Sequence, residues 1–140
     1  MFDITSQAAS DTSAIHLKGL DGEHLYDDKG NPVRIVVYGP GSRQFAQVEA
    51  RQTARAIKRM EANDGKLSVA SPEQRDAETA EDLAAITVAF ENFDYPPAKG
   101  KPDAERFAAL YLDRSLGFIT KQVTKHLNDW GNFKNASPAD

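Results

Sequence analysis

The chain has 140 residues, a hydrophobic share of 40%, a net charge of −4 and no cysteine. That is enough for one globular core and too apolar for a disordered chain, and it excludes disulfides, thiolate metal sites and cysteine nucleophiles. A pI near 5.4 excludes a molecule-wide electrostatic grip on nucleic acid.

Residues 1–12 are polar and rich in small side chains apart from Phe2 and Ile4, and are expected to form a flexible N-terminus. They have no basic start and no apolar run, so no secretory signal is read. Apolar stretches elsewhere fall far short of the roughly 20 residues that span a bilayer, and a soluble intracellular protein is expected.

Residues 14–20 alternate, with Ile15 and Leu17 opposite His16 and Lys18, as a half-buried strand does. Asp21-Gly22 is a favoured hairpin turn, residues 23–26 read as a short return strand, and residues 27–31 as a second turn. Residues 33–38 are the clearest strand, with Val33, Ile35 and Val37 on one face. The expectation is a small antiparallel β-meander over 14–38 that needs helices to cover its apolar face.

Gly39-Pro40-Gly41-Ser42 turns the chain into a helix capped by Ser42 and ending near Asn63. Free amides at such a turn can hold an anion, but the loop is too short for a phosphate loop and lacks its lysine, so it reads as a capped turn. The helix is mainly basic, with Arg51, Arg55, Lys58 and Arg59. The next helix is predicted over 71–93. Ser71-Pro72-Glu73-Gln74 is a capping box with proline at the first helical position. Leu83, Ile86, Phe90 and Phe93 then recur at spacings of three and four, up to the stop at Tyr95-Pro96-Pro97. Its first half is acidic, including Glu78, Glu81 and Asp82. Opposite charge bias and a short connection predict an antiparallel hairpin, in which these two sets either pair with each other or are both simply solvated.

Pro102 opens a shorter helix carrying Phe107, Leu110 and Tyr111. Leu116-Gly117 begins a last one, with Leu116, Ile119, Val123, Leu127 and Trp130 as its stripe and Gly131 where a left-handed cap is expected. Residues 134–140 are a polar tail. The fold class is therefore α+β: an N-terminal antiparallel β-meander followed by a bundle of about four α-helices. It forms one domain over 13–133, with its helical part at 42–133.

Little in the chain points to chemistry. His16, His24 and His126 have no metal-ligand spacing, and Asp21, Glu23, Asp27 and Asp28 lack the register of a calcium loop, so they read as turn residues. With no serine elbow and no organised His–carboxylate pair, neither catalysis nor a cofactor is expected. Of the aromatic residues near helix ends, Phe90, Phe93, Tyr95, Trp130 and Phe133, most are expected in the core, and a subset left exposed would form an apolar patch that holds another protein.

Residues 28–42, from Asp28-Lys29-Gly30-Asn31 through the strand to Gly39-Pro40-Gly41-Ser42, precede an arginine-rich helix. Residues 83–93 follow, read as a middle helix. Leu116-Gly117-Phe118-Ile119 then leads through Gln122-Val123 to Asn128-Asp129-Trp130-Gly131-Asn132-Phe133. In this order, over roughly 25–133, the chain resembles the tail assembly chaperones of long-tailed bacteriophages.

That resemblance implies a non-catalytic morphogenesis factor in the host cell cytoplasm, absent from the mature virion. Its partner would be the tape measure protein, kept soluble while tail tube subunits are recruited, with the tube protein reached through a longer frameshifted form. Self-association is compatible with this reading, whereas a membrane or nucleic acid is not an expected partner. Two alternatives differ in class: a structural tail or head-completion protein of the virion, and a small nucleic-acid-binding regulator using the basic helix.

Overall fold

The computed structural model describes residues 1–66 and 69–135; residues 136–140 of the predicted tail lie outside the described set. Three antiparallel strands, β1 (Thr12–His16), β2 (Arg34–Tyr38) and β3 (Thr87–Glu91), form a sheet in the order β1-β2-β3. Four α-helices accompany it among the described residues: α1 (Arg43–Ala62), α2 (Pro72–Ala85), α3 (Asp103–Leu112) and α4 (Gly117–Leu127). The class is α+β.

The strands do not all come from the N-terminal third. Residues 23–26 make only isolated bridges, Lys18 with His24 and Tyr26 with Pro32, at the tip of an excursion between β1 and β2. There Leu17 N–H donates to Val33 C=O (2.9 Å), Leu25 N–H to Leu17 C=O (2.9 Å) and Val33 N–H to Leu25 C=O (3.0 Å). Gly22 and Gly30 supply the left-handed turns (φ 82° and 81°) that allow this double reversal.

The third strand comes instead from the segment predicted as the second half of a helix. α2 begins as expected, with Ser71 and Gln74 forming the capping box, but it ends at Ala85. Thr87, Val88 and Phe90 are β-branched or aromatic and favour an extended chain. The Thr87 hydroxyl donates to Leu83 C=O (2.7 Å) and lies 2.7 Å from the Tyr111 hydroxyl, fixing the exit. β2 has a second edge to satisfy, and Val36 pairs with Ala89 and Ile35 with Phe90. Phe90 reaches the core by strand alternation; its helical spacing from Ile86 is incidental.

The inner face of the sheet (Ile15, Leu17, Ile35, Val37) lies in one cluster with Leu83 and Ala84, with Phe107, Leu110 and Tyr111 of α3, and with Ile119, Val123 and Leu127 of α4. Burial of a large side chain here contributes about 1.5–3 kcal/mol. α1 stands largely outside: Val48 is the one buried residue in its 20. Gly131 is not a left-handed cap. α4 is capped by Asn128, and Gly131 lies inside a 3-10 turn, Trp130–Phe133, while the positive-φ glycines are 22, 30, 65 and 100.

Candidate partner-binding surface

α1 and α2 meet along a seam of charge. Asp82, with 10% of its side chain exposed, is its centre. Arg55 grips it with both nitrogens (2.9 and 2.6 Å), Arg51 adds a contact at 2.9 Å, and the Gln52 amide donates at 3.0 Å. Burial pushes the Asp82 carboxyl up, but hydrogen bonds from Arg55, Gln52 and Arg51 outweigh it and hold the group below the usual carboxylate range. Arg59 pairs with Glu78, and Glu81 sits 3.6 Å from Arg51. Lys58 alone of the basic set makes no ion pair among the described residues. Gln52 was not singled out in the sequence, although its spacing from Val48, Arg55 and Arg59 places it on the same face.

The aromatic candidates fall into two places. Phe90 stacks on Phe93 (4.7 Å between centroids) and tilts against Phe107 (4.6 Å). The Arg106 guanidinium lies over Phe107 at 5.4 Å, and Tyr95 donates to Asp113 (2.9 Å). Trp130 and Phe133 belong to the opposite end of β2, beside Gly41 and Gly39. Trp130 is 59% exposed, but Phe133 is 1% exposed and part of the core, so it offers no contact to a partner. The five do not make one patch.

A further apolar feature went unnoticed in the sequence. Leu112, next to the α3 stripe rather than within it, is 50% exposed. With Phe118 of α4 it lines an open groove of about 490 Å³ at the α3–α4 corner, edged by Asp76 and Thr79 of α2, Arg114 and Lys121. An apolar residue off the stripe at a helix end was the available signal.

The structure also brings together Ser13 and His126, far apart in sequence, with Oγ and Nε2 2.9 Å apart. The pair is not arranged for nucleophilic attack. The Ser13 hydroxyl donates to Asn132 C=O (2.9 Å), which leaves the His126 nitrogen as donor. The Asp129 carboxylate accepts from Gly131 N–H (2.9 Å) and does not orient the imidazole. Burial lowers the His126 pKa, opposed by Asp129. The contact ties β1 to the Trp130–Phe133 turn.

His16 stacks on His24 (4.1 Å) with Tyr26 edge-on at 5.0 Å. No group of three or more His, Cys, Asp or Glu among the described residues is placed to hold a metal ion. At the strand-to-helix turn, Ser42 accepts from Phe45 N–H (3.2 Å) and donates to Gly39 C=O (2.7 Å), serving as the cap of α1.

Comparison with protein-family models, curated proteins and solved structures finds no match to this chain.

Proposed function

We propose that this protein is a non-catalytic assembly chaperone of a long-tailed bacteriophage, which binds the helical tape measure protein and keeps it soluble while tail tube subunits are recruited. The observation that carries the reading is the groove at the α3–α4 corner. Leu112 and Phe118 line it, and its rim carries both signs of charge, Asp76 and Asp113 against Arg114 and Lys121. An amphipathic helix docks by laying an apolar ridge into such a trough while its polar flanks meet the rim. Exposed Trp130 gives further apolar area, whereas Phe90 and Phe93 pack half-buried against the core. The segment order resembles that of the chaperone family, except that residues 87–91 form a strand where the resemblance implied a helix.

Nucleic-acid binding through α1 is the weaker reading, since Arg51, Arg55 and Arg59 are already paired with α2 carboxylates. Co-expression with the tape measure protein of the same phage tests the proposal. The expected result is a higher soluble yield of that partner and a complex recovered by pull-down; no complex and no gain in yield reject it. Mass spectrometry of purified virions separates a chaperone, which is absent, from a structural component, which is present.

A further inference from the structure

β1 is an edge strand, and among the described residues no strand pairs with the side of it turned away from β2. The register pairs Ser13 with Val37 and Ile15 with Ile35. Leu17 N–H donates to Val33 C=O (2.9 Å) and Gly39 N–H to Asp11 C=O (2.8 Å), so the odd-numbered residues bond to the β2 side. Thr12, Ala14 and His16 therefore aim their backbone groups outward. Lys18, one rung further, shows what satisfies such an edge. The Gln122 side-chain amide accepts from its N–H (2.8 Å) and donates to its C=O (2.8 Å), the two-bond pattern of a neighbouring strand.

No described residue reaches the outward backbone groups of Ala14 and His16 in the same way. Beside them a groove of about 400 Å³ separates β1 from α4, lined among others by His16, Lys18, Gln122, Lys125 and Asp129. Lys18 and Lys125 are exposed and have no ion pair among the described residues. The single carboxylate, Asp129, accepts from the Gly131 amide and makes no ion pair with either lysine among the described residues. The groove thus joins an unpaired backbone ladder to two unanswered ammonium groups. Gln122 closes one end, leaving a window the length of β1, about 17 Å at ~3.3 Å per residue.

We infer that this window is a docking site for an extended, acidic segment of another protein, which adds to the sheet as a fourth strand beside β1. Main-chain hydrogen bonds to Ala14 and His16 supply the attachment, and carboxylates facing Lys18 and Lys125 supply the selection. A second copy of β1 does not meet the requirement. Its own side chains, Thr-Ser-Ala-Ile-His, carry no carboxylate. The site is separate from the α3–α4 groove and does not depend on the chaperone reading.

The test is titration of the ¹⁵N-labelled full chain with an acetylated, amidated pentapeptide, Glu-Val-Thr-Val-Glu, and with its counterpart in which lysine replaces glutamate. The acidic peptide is expected to shift the Ala14 and His16 amide resonances, slow their hydrogen exchange, and bind at least tenfold tighter than the basic one. Lys125→Glu should reverse that preference. Ala14→Pro removes an outward N–H without touching the ladder to β2, a change edge strands tolerate, and should abolish binding. No change at Ala14 and His16, equal affinity for both peptides, or self-association through this edge without peptide would each overturn the inference.

Discussion

The Phe133 ring packs against Gly39, so close that a Cβ at position 39 would fall 2.4 Å from it. The glycine is needed for this approach, not for its dihedral freedom. It lets the last aromatic residue of the domain seal the end of β2. Gly39→Ala forces the ring or the strand to move and should destabilise the protein by about 1–3 kcal/mol, lowering Tm by roughly 5–10 °C. Phe133→Ala should cost about 3–5 kcal/mol through the cavity it leaves. Together the two changes should cost less than their sum, because alanine at 39 fits once the ring is gone. Thermal melts of the four proteins in this cycle check it.

Asp82 concentrates the attraction between α1 and α2. Asp82→Ala leaves Arg55 and Arg51 without their main acceptor, but both are partly exposed and regain water, so the expected loss is about 2 kcal/mol. The folded-state pKa of Asp82 is depressed, so its contribution is present above the ordinary value of 3.8 and is lost as the pH falls below it towards the folded value. Urea melts between pH 7 and pH 3 should show the variant losing less stability over the acid range than the parent.

How much could be read along the chain depended on how local the cause was. The Ser71–Gln74 capping box, the Ser42 cap, the stripe of α3 and that of α4 as far as Leu127 are set by residues within one or two turns and were legible. Trp130, read as the end of the α4 stripe, instead lies beyond the helix in the following 3-10 turn, 59% exposed. β3 was not legible. Leu83, Ile86, Phe90 and Phe93 fit a helix by spacing, and the demand that makes 87–91 a strand comes from the free edge of β2 some fifty residues earlier. Likewise, opposite charge on α1 and α2 was visible, but the choice of Asp82 over Glu81 as the centre depends on how the helices cross. Phe133 could be seen as an aromatic near a chain end; its partner Gly39 could not. The Ser13–His126 contact and the Leu112 groove arise only when distant segments are folded together.

His126 should make stability fall in mildly acidic solution. Burial lowers its folded-state pKa below the ordinary 6.5, so the unfolded chain binds the proton more readily. Its stabilising effect is therefore complete above about pH 6.5 and declines as the pH falls through that value towards the lower folded one. His126→Gln keeps a donor for Ser13 while removing the titration. The parent should lose Tm between pH 7.5 and pH 5.5, and the variant should lose less over the same interval.

Leu112 separates the proposed binding role from the fold. Half of its surface is in water, so Leu112→Glu removes little core packing and should change stability by no more than about 0.5 kcal/mol. In the groove, however, it replaces an apolar lining residue with a carboxylate near Asp113 and opposite Phe118, and an apolar ridge from a partner helix would have to strip water from that charge. The expected outcome is an unchanged melting curve together with the loss of tape measure protein from the soluble fraction on co-expression. Phe133→Leu provides the converse comparison: it weakens the core but leaves the groove intact, so soluble partner should persist at temperatures where that variant remains folded. If Leu112→Glu supports as much soluble partner as the parent, the α3–α4 corner is not where the helix binds.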